Sequence, residues 1–295
     1  VDLSSELAGL VEAGGPAVVR VEARRAPGSG TVWSSEGLVV TAHHTVEWDE
    51  GLEVGLHDGA TVAARLVGRD PTTDLALLKA EAQGLAFPRW ADVSAIKVGH
   101  LALALTRPGR SVRASLGLVS VRGEAWRTPA GGRLDAYVQT DIARHPGLSG
   151  SLLLLASGEA AGVNTAGIVR GQSLVVPAST VRRVVESLLA HGQVRRGYLG
   201  VGTYAVRLPE RLARELQQPS ALLVVSVEED GPAGRAGLHL GDVLVAFDAQ
   251  PLRQPGDLLP LLDETRVGAT VEARVLRAGE LRTIPITVAE RGARR

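Results

Sequence analysis

At 295 residues the chain is long enough for two domains that each bury a core, and its 45% hydrophobic and 22% charged content is that of a soluble globular protein. Thirty-two basic and thirty-two acidic side chains cancel, which removes any global field drawing the protein to nucleic acid or to an anionic membrane. With no cysteine there is no disulfide, no thiolate-held metal and no thiol nucleophile; no apolar run approaches the roughly 20 residues of a bilayer span.

The lack of methionine, even at position 1, reads as a leader segment removed ahead of Val1. The opening SSELAGLVEAGG (4–15) predicts a short helix with Ser4 or Ser5 as N-cap, Leu7, Leu10 and Val11 on one face, and Gly14 as its stop. From Val18 to about Ile168 the texture is short β-rich runs broken by Gly, Pro and Asp, the pattern of an all-β sandwich or barrel pair. Within it Leu52, Val54 and Leu56 alternate before Asp58-Gly59, and Val62, Ala64 and Leu66 alternate after it, which predicts a hairpin. Thr180 is the expected cap of a helix with Val181, Val184, Val185, Leu188 and Leu189 as its apolar stripe and Gly192 as its end. The polar, Gly-bounded HGQVRRG (191–197) is the expected link to a second unit. That unit has expected strands at 222–227, 242–247, 269–276 and 281–288 and expected helices at 209–217 and 256–264. It reads as a small α+β module.

Three stretches carry chemistry: TAHH (41–44), DPTTDLALL (70–78) and PGLSGS (146–151). They supply His44, Asp74 and Ser149 in the order used by chymotrypsin-like serine proteases. A serine hydroxyl is a poor nucleophile until a histidine takes its proton, and the histidine needs a carboxylate to fix its tautomer and stabilise its charge. Asp70, beside Pro71, reads as a turn residue, and His43, His57 and His145 read as structural histidines.

These stretches, with GSGTVWSSEGLVV (28–40) before the first and GEAAGVNTAG (158–167) after the last, resemble the HtrA/Deg family of trypsin-like serine proteases. RRGYLGV (195–201) and the segment 231–252 resemble a PDZ domain, so the resemblance covers nearly the whole chain. It implies a mostly β fold: a chymotrypsin-like double β-barrel followed by a small α+β PDZ domain. The expected boundaries are 1–190 for the protease domain, 191–196 for the linker, 197–291 for the PDZ domain and 292–295 for a basic tail.

Carried over by position, the resemblance makes His44 the general base, Asp74 the acid that orients it and Ser149 the nucleophile, with the N–H groups of Gly147 and Ser149 as the oxyanion hole. Where the family usually reads GNSGGP this chain has Leu148 and Ser151, and where it reads AIGNP this chain has ALTRP (104–108). Substrate contacts are expected from Arg144, Asn164, Thr165, Ala166 and Gly167, with the segment from Gly162 to Ala166 offering a strand edge. Arg144 and Gly167 stand where the family places bulky pocket walls, which implies a wider, cationic pocket for the P1 side chain. In the PDZ domain Tyr198, Leu199, Gly200 and Val201 are the expected peptide-carboxylate loop.

The implied function is ATP-independent cleavage of unfolded polypeptides in protein quality control, without cofactor or metal, in the periplasm or another extracytoplasmic space. The alternative is a protease fold kept as a scaffold or chaperone that acts through PDZ peptide binding. Relatives form trimers through aromatic residues near the N-terminus, yet residues 1–32 contain no Phe, Tyr or Trp, so a homotrimer here needs other contacts.

Overall fold

The computed structural model describes residues 2–22, 28–46 and 48–290, so the expected basic tail at 292–295 lies outside the described residues. The chain divides into two compact units, Val1–Val194 and Arg195–Arg295. Among the described residues no helix is long and apolar enough to cross a membrane.

The first unit opens with α1 (Leu3–Gly14). Its N-cap is Asp2, ahead of the expected serines: the Asp2 carboxylate accepts Ser4 N–H at 3.0 Å and the Ser5 hydroxyl at 2.6 Å. A carboxylate at this place also meets the positive end of the helix dipole. Leu7, Leu10 and Val11 form the packed face as expected.

Six strands then close into a barrel: β1 (Val18–Glu22), β2 (Gly28–Val32), β3 (Leu38–Ala42), β4 (Leu52–Gly55), β5 (Thr61–Asp70) and β6 (Leu75–Ala80). They pair in the order β1-β2-β3-β6-β5-β4. The expected hairpin is β4–β5, turned at Gly59 with φ +91°. Its inward set, with Val19, Val21, Val39 and Leu78, fills this barrel.

A second barrel follows from β7 (Leu101–Thr106), β8 (Arg113–Arg122), β11 (Val138–Thr140), β12 (Leu152–Leu155), β13 (Ala160–Thr165) and β14 (Leu174–Pro177), while β9 (Trp126–Arg127) and β10 (Arg133–Leu134) make a separate small hairpin. The four consecutive leucines of β12 do not alternate because both faces of the strand are covered. Leu153 and Leu155 fill the barrel, and Leu152 and Leu154 pack under α1 with Leu105. The unit ends with α2 (Ala178–His191), capped by Gly192 at φ +70°. Thr180 is not its cap; it lies in the first turn, where its hydroxyl accepts Asp135 N–H at 2.9 Å. Leu189, expected on the apolar stripe, faces solvent.

The second unit contains β15 (Gly197–Tyr198), β16 (Val201–Arg207), α3 (Glu210–Leu216), β17 (Ser220–Val227), α4 (Pro232–Arg235), β18 (Val243–Phe247), β19 (Gln250–Pro251), α5 (Pro255–Leu258), β20 (Thr270–Arg277), β21 (Glu280–Thr287) and β22 (Ala289–Glu290). Its sheet runs β16-β17-β18-β20-β21, which leaves β16 on an edge. The helix expected at 256–264 is shorter, because Pro260 has no N–H to continue it and the chain passes into a 3-10 turn at Leu259–Leu262.

One buried cation ties the first unit together. Arg107, only 5% exposed, donates from Nε to Val18 O (2.7 Å), from Nη1 to Arg110 O (2.7 Å) and from Nη2 to Gly15 O (3.0 Å), while its own N–H goes to Ser29 Oγ (2.9 Å). It joins the end of α1's connection, β1, β2 and the end of β7. Charge-assisted bonds to buried carbonyls are costly to orphan, so Arg107→Leu is expected to lower unfolding free energy by about 3 kcal/mol. Urea denaturation of the two proteins, read as a midpoint shift at unchanged slope, checks this.

Candidate active site

The site is assembled from four chain segments. β3 runs straight into a 3-10 turn at His43–Thr45, which places His44 just beyond the strand end. Asp74 stands in the turn joining β5 to β6 at φ +57°, a left-handed conformation that Asp tolerates better than most side chains. Asp70 builds that turn, accepting Thr72 N–H at 3.1 Å, the Thr72 hydroxyl at 2.6 Å and the Thr73 hydroxyl at 2.7 Å.

The first two segments are zipped together at Asp74. Its carbonyl accepts His43 N–H (3.1 Å) and its Oδ1 accepts His44 N–H (3.0 Å). The His44 Nδ1 lies 2.9 Å and 2.8 Å from the two carboxylate oxygens. Since a carboxylate only accepts, Nδ1 carries the proton and Nε2 is left as the basic nitrogen. The hydrogen bond to Asp74 holds the imidazole above its ordinary pKa, against burial and against the positive charge of Arg144, both of which push it down. Its neighbour His43 is pushed below the ordinary value chiefly by burial.

The third segment is the end of β13. Thr165, 1% exposed, donates its hydroxyl to Asp74 Oδ2. Ala166 N–H donates to Ser149 Oγ at 3.1 Å. Gly167 approaches the His44–Asp74 pair so closely that a Cβ there would sit 2.6 Å from both Asp74 Oδ2 and His44 Nδ1. Three consecutive residues therefore touch the carboxylate, the hydroxyl and the imidazole. No hydrogen bond joins Ser149 Oγ to His44 Nε2 among the described residues.

Ser149 itself sits in a loop pinned on both sides. Leu148 is buried in the core of the second barrel, and Gly147 turns the chain at φ +87°. Gly150, at φ +83°, donates to Asn164 O at 2.9 Å, and its carbonyl accepts the Thr31 hydroxyl at 3.1 Å. A Cβ on Gly150 would lie 2.1 Å from Ser29 O, so only glycine fits. Ser151 does not need the left-handed region; its N–H reaches Leu148 O (3.1 Å) and its hydroxyl pairs with Asn164 Nδ2 (3.0 Å). The N–H groups of Gly147 and Ser149 have no protein partner among the described residues.

The structure corrects part of the expected substrate surface. Asn164 and Thr165 have buried side chains with internal partners, so they support the site from inside. From Gly162 to Asn164 there is no free edge, because β14 pairs one side and β12 with the Gly150–Ser151 backbone pairs the other. Ala166 and Gly167 lie beyond the strand, where their N–H groups go to Ser149 Oγ (3.1 Å) and Thr165 Oγ1 (3.0 Å). Gly167 lies on the His44–Asp74 pair, and Arg144 is exposed yet near enough for its charge to act on His44. Nothing in the residue types marked the Thr165 hydroxyl as Asp74's second partner; only its burial at the strand end reveals it.

In the second unit Gly200 takes φ +76°, and the carbonyls of Leu199 and Gly200 are used by Ala233 N–H (2.9 Å) and Glu228 N–H (2.8 Å). The N–H groups of Leu199 and Gly200 have no protein partner among the described residues, and they precede edge strand β16, which starts at Val201. The Leu199 side chain is buried in the core of this unit. Tyr198 pairs through β15 with Ala289.

The chain is similar to known proteins along most of its length. Residues 28–163 match the trypsin-like peptidase domain and residues 197–288 match the PDZ domain. A probable periplasmic serine endoprotease DegP-like from Pseudomonas putida (strain W619) is 34% identical over 267 residues, covering 88% of this chain and 55% of the relative. Its counterpart from Chlamydia trachomatis serovar D is 33% identical over 270 residues, covering 89% and 54%. The chain thus spans about half the length of these relatives. Among solved structures, the HtrA-type protease AlgW with tripeptide is 32% identical with a TM-score of 0.75, covering 97% of both chains. The serine endoprotease from Yersinia pestis is 28% identical with a TM-score of 0.78, covering 99% of both.

The electrostatics predict an ordering of two adjacent histidines. In an NMR titration His44 should take up its proton above the free-imidazole value of about 6.5 and His43 below it. In Asp74→Asn the His44 midpoint should fall, because the charge that favours imidazolium is gone.

Proposed function

The chain belongs to the HtrA/Deg family of trypsin-like serine proteases with one PDZ domain, and from that premise we propose that it is a serine endopeptidase in which Ser149, His44 and Asp74 carry the reaction. The observation that carries this reading is the span Thr165–Ala166–Gly167, in which Thr165 bonds Asp74, Ala166 bonds Ser149, and Gly167 lies so close to the His44–Asp74 pair that a Cβ would not fit. His44 Nε2 takes the proton as Ser149 Oγ attacks the scissile carbonyl, and Asp74 stabilises the imidazolium. The oxyanion is met by the N–H groups of Gly147 and Ser149, which are free to receive it. His44 then protonates the leaving amine, and a water that it deprotonates hydrolyses the acyl-enzyme.

Cleavage needs an extended segment that reaches the backbone at Ala166 and Gly167, which favours unfolded polypeptides as substrates. The relatives named periplasmic support an extracytoplasmic place of action. The PDZ domain is read as a receptor for C-terminal peptides, with the free N–H groups of Leu199 and Gly200 for the carboxylate and the edge of β16 for strand addition.

A second reading, a protease-fold scaffold acting through the PDZ domain, draws on one observation: Ser149 Oγ is bonded to Ala166 N–H and not to His44. A fluorophosphonate probe separates the two. The protease reading expects covalent labelling of the wild type and none of Ser149→Ala; a wild type inert to the probe, with and without a PDZ-directed peptide, favours the scaffold.

Arg144 gives the pocket its proposed preference. An exposed guanidinium whose charge is felt at His44 favours acidic P1 side chains over small aliphatic ones. A peptide library should show that preference and Arg144→Leu should abolish it; a plain Val or Ala preference in the wild type would refute the assignment.

A further inference from the structure

The oxyanion hole depends on one peptide plane, and the chain holds that plane from behind. Leu148 N–H donates to His145 O at 3.1 Å, closing a four-residue turn over His145, Pro146, Gly147 and Leu148. With proline at the second place and glycine at φ +87° at the third, this is a type II turn. Its central unit is the peptide between Pro146 and Gly147.

Neither residue alone selects this state. Type I and type II turns differ by a flip of the central peptide; proline suits the second place of both, and glycine adopts either sign of φ at little cost. The flip matters because a trans peptide points its C=O and its N–H in opposite directions. One orientation aims Gly147 N–H at the substrate oxyanion. The other turns that donor away and brings the Pro146 carbonyl oxygen round in its place, an acceptor where a donor is required.

What distinguishes the two orientations is the ring of His145. Its Nδ1 lies 3.0 Å from Pro146 O, and its Nε2 lies 3.4 Å from the Ser115 hydroxyl on β8. A carbonyl can only accept, so Nδ1 is the protonated nitrogen and Nε2 is free to accept from Ser115. The ring thereby holds the carbonyl of the critical peptide on the side remote from its N–H. A flipped peptide would lose this bond. Leu148, buried next in sequence, keeps the far end of the turn from following a flip.

We propose that His145 is a positioning residue for the oxyanion hole: its Nδ1–H clamps the Pro146 carbonyl and so holds Gly147 N–H in the donating orientation. The proposal rests on the assignment of Ser149 as nucleophile. It places a second histidine in the service of the reaction, one that touches neither substrate nor the His44–Asp74 pair.

The test uses the full chain and two isosteric replacements. The Asn amide nitrogen occupies the place of His Nδ1, whereas the Gln amide reaches toward the place of Nε2 and leaves the Nδ1 position empty. Steady-state cleavage of a fluorogenic peptide, normalised to fluorophosphonate-titrated sites, should show His145→Gln lowered in kcat by about 10- to 100-fold with KM little changed, since losing an oxyanion donor outright costs about 100- to 1,000-fold. His145→Asn should stay within about 3-fold of wild type. A Gln variant with wild-type kcat, or an Asn variant that falls as far as Gln, would overturn the clamp. Should the Gln variant fail to fold, the nitrogen NMR spectrum of wild-type His145 decides instead: Nδ1 protonated in the neutral ring supports the clamp, and Nε2 protonated refutes it. A wild type that neither cleaves nor labels removes the protease reading and this proposal together, whereas an active wild type with an unaffected Gln variant removes this proposal alone.

Discussion

The carboxylate of Asp74 is the joint on which the site depends. It is 4% exposed and faces two donors from one barrel, His44 N–H and His44 Nδ1, and one from the other, the Thr165 hydroxyl. An ionised carboxylate buried without donors would cost several kcal/mol; with these donors it orders the segments that supply them. The end of β3, the β5–β6 turn and the end of β13 thus meet at a single side chain. Two closed barrels contribute to one site through that charge.

Around this joint the sequence uses glycine where backbone must approach other atoms too closely for a Cβ. Gly150 presses on Ser29 O and Thr41 Oγ1, and Gly167 presses on Asp74 and His44. The rest of the Ser149 loop is held by apolar burial and short hydrogen bonds. Leu148 anchors it in the second barrel, and Ser151 pairs with Asn164. A leucine and a serine at these places supply packing and pairing, which is why departures in side-chain type leave the turn intact.

Much of this was legible in the residues because the informative signals were local. The alternation around Asp58-Gly59 and the stripe Val181, Val184, Val185 and Leu188 follow from period alone, while His44, Asp74 and Ser149 stand out through the family resemblance of the stretches that hold them. What stayed hidden depends on partners distant in sequence. Thr165 becomes a donor to Asp74 only because β13 is enclosed between β12 and β14, which also removes the strand edge that its residues suggest. The four leucines of β12 gave no period because one face belongs to the barrel and the other to α1. Asp2 displaced Ser4 and Ser5 as cap because a carboxylate can accept from both of them at once.

Two charged neighbours act on the basicity of His44 in opposite directions. Asp74 raises the affinity of His44 for a proton, while burial and, to a smaller extent, the charge of Arg144 lower it. The two charges differ in permanence. Asp74 is enclosed and keeps its partners, whereas Arg144 is exposed and can be paired by a passing anion. Under the proposed role of Arg144, an acidic P1 side chain seated against it would cancel that charge and favour the imidazolium as it forms. A cationic or apolar side chain leaves that opposition in place. The residue that would select the substrate therefore also sets, through its field, how readily His44 takes the proton from Ser149.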